Sequence, residues 1–272
     1  MTANCKEVLQ FSPTVRSHYR KHGRDLPWRK TSNPYRILVS EVMLQQTQVE
    51  RVIPKYKAFL KAFPTSRSLA RAKLRDVLSI WSGLGYNRRA KALHDAANVI
   101  VGKHNRKIPD SREELEELPG IGPYTAGAVL AFAYNKPEVF IETNIRTVFI
   151  HHFFKNKKKI TDEEIVRCIE LTVDRKNPRE WYFALMDYGA MLKQKYPNPN
   201  RRSVHYTKQS KFEGSNRQLR GEIIRLLVDE KQITKQSLVS KLPKDRKIVE
   251  EILSNLIQEK LIVRNQKVFS LS

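Results

Sequence analysis

The chain has 272 residues, enough for one large domain or two smaller ones with a real core. Hydrophobic residues make up 40% of it, with 11 Phe, 10 Tyr and 3 Trp, which excludes a wholly disordered chain. Lys and Arg number 51 against 28 Asp and Glu, and the resulting formal charge of +23 points to a polyanionic partner, DNA or RNA.

The two cysteines, Cys5 and Cys168, stand far apart with no CxxC or Cys/His cluster, so neither a disulfide framework nor a structural zinc is implied. No apolar run approaches a membrane span, and the N-terminal residues carry no signal-peptide core. The expectation is an intracellular protein without a membrane partner.

Residues 6–22 read as a helix with Val8, Leu9, Phe11 and Val15 on its apolar face, ended by Gly23 and Pro27. Trp28 is a packing anchor. Tyr35 to Phe63 reads as two helices, with Pro54 starting or kinking the second. Further helices are expected over 74–84, bounded by Gly83 and Gly85, and over 89–101. Ser111 with Glu114 forms a capping box ahead of Leu115 and Leu118. That places a short helix before the stretch Leu118–Asn144, LPGIGPYTAGAVLAFAYNKPEVFIETN. Its glycines at 120 and 122 flank Ile121 and allow a tight hairpin, which aims backbone N–H groups and a helix N-terminus at one point suited to a phosphate. A small-residue helix follows over 125–133.

Helices over 145–154, over 162–173 behind a Thr161/Glu164 capping box, and over 178–192 complete an all-α body. Residues 193–213 are basic and proline-containing and read as irregular chain, with a domain boundary near Gly214. The last part reads as helices over 216–229, 234–242 and 245–260, with a short extension at Ile233 and two strands around Asn265. This is the order of a winged helix, a module that binds DNA or contacts a protein partner. It carries 12 basic and 7 acidic residues, so its charge alone does not choose between the two.

Two carboxylates stand out in uncharged surroundings. Glu41 lies in a run free of other charge from Ile37 to Gln48, and it shares a helical face with Gln45. Partial burial there would raise its pKa and keep it protonated for donation. Glu142 is the sole charge between Val139 and Ile145. Two carboxyl groups flanking a glycosidic bond suit hydrolysis through an oxocarbenium-like state: one protonates the leaving group and the other stabilises the positive charge.

LPGIGPYTAG, followed by an acidic residue and Asn, resembles the helix-hairpin-helix base-excision DNA glycosylases. SEVMLQQTQV, LPWR, GLGY and YTAGAV together are most similar to the MutY adenine glycosylase branch, over residues 10–192. The resemblance implies a two-lobe fold in residues 1–213. A six-helix lobe would span about 24–129, the second lobe 1–23 plus 130–213, and the winged-helix domain 214–272. It also implies flipping of the target base out of double-stranded DNA. Glu41 would then protonate adenine, while Tyr124 and Asn144 line the pocket and orient the carboxylate of Glu142. Gln45 and Gln46 would face the DNA, Tyr86 would enter the stack beside the orphaned base, and Gly120, Ile121 and Gly122 would clamp phosphate.

Three departures qualify these expectations. The family's second carboxylate is an aspartate where this chain has Glu142. The family's four iron–sulfur cysteines correspond to Lys193, Asn200, Ser203 and Gln209, so no cofactor is expected, and basic residues such as Lys195, Arg201 and Arg202 would take over part of its DNA contact. The domain that senses 8-oxoguanine is replaced by the winged helix. Tyr124 stands where strand-cutting relatives use a lysine, which implies a monofunctional enzyme leaving an abasic site; a monomer is expected. Two alternatives remain at this stage: a thymine, uracil or deaminated-purine mismatch glycosylase, and a catalytically impaired mismatch-binding protein. The expected location is on DNA, in the cytoplasm or nucleoid, or in a nucleus.

Overall fold

Helix ends fall where side chains or fixed backbone can cap them. Thr65 and Ser68 form a reciprocal capping box, Ser215, Thr234 and Asp245 each accept from a first-turn N–H, and the expected Ser111/Glu114 and Thr161/Glu164 pairs are both in place. The computed structural model describes residues 5–209, 211–242 and 245–272, and side chains from residue 10 onward. The side chains of Cys5, Val8 and Leu9 lie outside the described residues.

In chain order the elements are α1 (Cys5–His22), α2 (Pro34–Leu44), α3 (Val49–Ala62), α4 (Ser66–Ala70), α5 (Leu74–Trp81), α6 (Arg88–Lys103), α7 (Arg112–Glu116), α8 (Pro123–Tyr134), α9 (Thr143–Phe153), α10 (Asp162–Thr172) and α11 (Pro178–Lys195). The C-terminal segment adds α12 (Asn216–Glu230), β1 (Gln232–Thr234), α13 (Lys235–Lys241), α14 (Arg246–Gln258), β2 (Ile262–Asn265) and β3 (Val268–Leu271). Single 3-10 turns occupy Pro27–Lys30 and Pro199–Arg202.

The chain groups into two compact units, one of residues 1–38, 110–116 and 121–208, the other of 39–109, 117–120 and 209–272. In the first, α11 packs against α1, α8 and α9. Its aromatic core sets the Phe11 ring 5.3 Å from Phe149 and 5.7 Å from Trp181, and stacks Phe132 on Phe183 at 4.6 Å. Arg29, from LPWR, sits inside this unit. Its two terminal nitrogens bond the buried Asp187 at 2.7 Å each, and Arg24 Nε adds a bond of 2.6 Å. In the second unit α6 lies against α4 and α5, and α12 lies against α5. Phe59, fully buried, meets Trp81 edge-on at 6.1 Å. Its antiparallel sheet runs β1-β3-β2 and closes on α12 and α14.

Some boundaries differ from the sequence reading. Helix α5 stops at Trp81 rather than Leu84, because Gly83 and Gly85 both take positive φ. Pro54 lies inside α3, whose N-cap is Gln48. Helix α11 continues to Lys195, so the irregular stretch begins later than Lys193. Among the described residues no helix is long and apolar enough to cross a membrane.

Candidate active site and DNA-contacting residues

Helix α8 begins with a strong local signal: Gly122 is its N-cap, Pro123 its first residue, and Asn135 ends it in the left-handed conformation. Ahead of it Gly120 has φ +76°, and a Cβ there would stand 2.6 Å from Cβ of Ala92, so only glycine fits. Ile121 is buried, and its side chain anchors the hairpin while its N–H is what it can offer a phosphate. The N–H groups of Gly120, Ile121 and Gly122 make no hydrogen bond among the described residues.

The half-buried Tyr124 on α8 packs edge-on against Phe140 at 5.9 Å. The loop after α8 is held by Arg112, which bonds Glu138 at 2.6 Å and the Val139 carbonyl at 3.1 Å. It delivers Glu142 to the N-cap of α9. There both carboxylate oxygens are engaged by Asn144, whose N–H donates at 2.6 Å and whose side-chain amide donates at 3.1 Å. A negative group at that point complements the helix dipole. Asn144 Oδ1 is buried and unpaired. Gly189 of α11 permits this turn, since a Cβ there would stand 2.2 Å from the Asn144 carbonyl oxygen.

Lys193, one helical turn beyond Gly189, interacts with the Glu142 charge. Burial pulls its amine below the usual lysine range, with Glu142 opposing that shift and Arg24 adding to it. Asn200 is buried and donates to Thr143 O at 3.1 Å and Thr147 Oγ1 at 2.7 Å. Ser203 is buried in an isolated bridge with Ile160. Gln209 Nε2 donates to the Tyr86 hydroxyl at 2.5 Å. These four residues offer no thiolate, two of them already spend their amides internally, and they do not fit an iron–sulfur cluster. Among the described residues no group of three or more His, Cys, Asp or Glu could hold a metal ion.

In the second unit Glu41 is only 3% exposed, among Val39, Val42 and Met43. Gln45 is half-buried, and Gln46, at φ +54°, is exposed. Sequence reasoning missed the residue that organises this region, Arg89. It donates to the Val42 and Met43 carbonyls at 2.9 Å each, to Thr47 Oγ1 at 2.9 Å and to Gly85 O at 3.1 Å. One guanidinium thereby caps the helix bearing Glu41 and fastens it to the Leu84–Asn87 loop. Tyr86 in that loop has φ +48°, a conformation unusual for a residue with a side chain. Its position after GLGY was the only available signal for Arg89. Asp187, likewise missed, is the one charged residue of α11 between Glu180 and Lys193.

The two arginines expected at DNA diverge. Arg202 bonds the carbonyls of Ile150, Phe154 and Lys155, closing the end of α9, whereas Arg201 is exposed.

Residues 39–171 match the HhH-GPD superfamily of base excision DNA repair proteins. The adenine DNA glycosylase of Mycobacterium tuberculosis is 34% identical over 90% of this chain and 88% of its own length. That of Buchnera aphidicola subsp. Baizongia pistaciae is 38% identical over 68% of this chain, which spans only 53% of that protein. The solved structure of a thermostable thymine-DNA glycosylase has a TM-score of 0.63, covering 71% of this chain and 91% of its own, at 23% identity, which shows a shared fold. The hairpin, the acidic N-cap and the extent of these matches lead to one assignment: the chain belongs to the HhH-GPD superfamily of base excision DNA repair proteins, in its adenine DNA glycosylase, MutY-like branch.

Proposed function

We propose that this protein is a monofunctional DNA glycosylase that flips adenine out of a mismatch and hydrolyses its N-glycosidic bond, leaving an abasic site. The observation that carries the reading is Glu41, a carboxyl group 3% exposed on an apolar helix, in a chain whose Mycobacterium tuberculosis relative, matched over 88% of its own length, is named an adenine DNA glycosylase. Glu41 protonates the leaving base. Glu142, held by Asn144, stabilises the positive charge that grows on the sugar, and water completes the displacement at C1′. Tyr124 borders the pocket and supplies no amine for strand cleavage. Gln45, Gln46 and Tyr86 contact the DNA near the lesion, Gly120 to Gly122 clamp a phosphate, and Arg201 adds charge. Residues 1–213 carry this chemistry without an iron–sulfur cluster. The monomer works on DNA inside the cell, and residues 214–272 form the winged helix.

The test is a panel of duplexes with A opposite G, A opposite 8-oxoguanine, T or U opposite G, and hypoxanthine, each treated with or without alkali. Adenine loss revealed as strand breaks only after alkali supports the proposal. Breaks without alkali refute the monofunctional reading, and excision confined to T or U refutes adenine as the target. Glu41→Gln should abolish excision while sparing affinity, and affinity should fall steeply with salt, since binding releases counterions.

A further inference from the structure

The C-terminal segment closes with a helix pair, α13 and α14, followed by the β2–β3 hairpin. Charge divides sharply between the two. Residues 245–259, which are α14 and its caps, hold two basic and four acidic residues, whereas residues 260–272 hold three basic and no acidic ones. The hairpin stretch buries Leu261, Ile262 and Phe269 and exposes the whole run Val263–Lys267. Neither Arg264 nor Lys267 makes an ion pair among the described residues.

We propose that this hairpin, and not α14, docks the C-terminal segment on the phosphate backbone of the substrate duplex, with Arg264 and Lys267 making the contacts. The inference rests on the functional reading above, which supplies the duplex. In a helix-turn-helix pair the second helix ordinarily enters the major groove. Helix α14 is ill suited to that. Arg246 is taken up by Glu250 at 2.9 Å, and Lys235 of α13 closes on the same carboxylate at 2.7 Å. Its exposed surface carries Lys247 and Glu251 one turn apart, so the carboxylate offsets the amine and would meet phosphate with like charge.

The hairpin has the opposite character. Arg264 Nε donates to the Gln266 carbonyl at 3.0 Å, and its guanidinium carbon stands 5.9 Å from the Phe269 ring centroid. One corner of the fork is thereby fixed, so less freedom is lost when the terminal nitrogens take a phosphate. Gln266 and Lys267 close the turn between the paired Asn265 and Val268. Gln266 has φ +52°, where glycine would cost less, so the tip keeps an amide at the expense of backbone strain. Helix α12 packs against β1 and β3, and Arg75 of α5 fastens it by an Nε bond of 3.0 Å to the Val228 carbonyl. The hairpin is thus carried on the compact unit that also holds Glu41, and a contact made there adds to that unit's grip on DNA.

The experiment measures the affinity of the full chain for a lesion duplex and for an undamaged duplex of equal length as salt is raised. Losing one phosphate-contacting charge lowers the slope of log affinity against log salt by about one. Arg264→Ala combined with Lys267→Ala should therefore lower it by about two on both duplexes, and weaken binding about tenfold at low salt. The exchange Arg264→Lys with Lys267→Arg keeps both charges and should keep the slope. Lys247→Ala on α14 should leave it unchanged. An unaltered slope in the double alanine variant, a fall in Lys247→Ala as large per charge, or a loss confined to the lesion duplex overturns the inference. Single-turnover excision at saturating enzyme separates the two readings. A slope lowered as expected with no excision by wild type sinks the catalytic proposal alone, and excision with an unaltered slope sinks this one alone.

Discussion

Asn144 engages both oxygens of the Glu142 carboxylate, one through its backbone N–H at 2.6 Å and the other through its side-chain amide at 3.1 Å. The extra methylene of a glutamate is thereby folded back, and the charged group stays against the start of α9. Glu142→Gln should lower single-turnover adenine excision by about 10²-fold or more, because an electrostatic stabiliser of the transition state is lost. Glu142→Asp keeps the charge and the cap, and should retain more activity than Glu142→Gln. Equal losses in the two variants would show that charge is not what matters there.

Gly189 gives a second handle on the same turn. Replacing glycine by alanine in a helix ordinarily stabilises by about 1 kcal/mol. Here the new Cβ would lie 2.2 Å from the Asn144 carbonyl oxygen, so α9 or α11 must move. Gly189→Ala should therefore destabilise by about 1–3 kcal/mol and reduce excision. Thermal melting and single-turnover rates check this, and a raised melting temperature would contradict it.

Asp187 is the buried counter-charge of Arg24 and Arg29. Burial pushes its carboxyl up, but the bonds and charges of Arg29 and Arg24 outweigh that and hold it below the usual carboxylate range. Its stabilisation is thus present above the unfolded value of about 3.9 and is lost as pH falls through the lower folded value. Asp187→Asn leaves the Arg29 side chain, 7% exposed, without its partner, at a cost of about 3–5 kcal/mol. Urea unfolding at pH 7 should register that loss, and the gap from wild type should narrow in strong acid.

His152 predicts a pH dependence in a different window. Burial, reinforced by His151 and Lys155, pulls it from 6.5 to about 4. Its Nε2 meets the Tyr188 hydroxyl at 3.2 Å, and its ring lies 5.2 Å from Phe11. Between those two values the unfolded chain binds a proton that the folded chain refuses, so stability rises with pH across the window and falls on acidification. His152→Phe should flatten the slope between pH 6.5 and 4 in denaturant titrations. An unchanged slope would assign it to other groups.

By itself the sequence determined most of the helices, the hairpin and the two carboxylates. Those features are local: Gly122 followed by Pro123 starts a helix wherever it stands, and apolar spacing marks a buried face without reference to the partner. It also determined that Glu41 lies in apolar company, which its 3% exposure bears out. Long-range pairing was decided only by the tertiary structure. Nothing near Asp187 announces that Arg24 and Arg29, more than 150 positions away, converge on it. Nothing in GLGY shows that its tyrosine is gripped by Gln209 and Arg217. Nothing in one dimension shows that Arg202, expected at DNA, also bonds the carbonyls at the end of α9. A charged side chain goes where unpaired carbonyls or a counter-charge await it, and those are assembled only when distant segments pack.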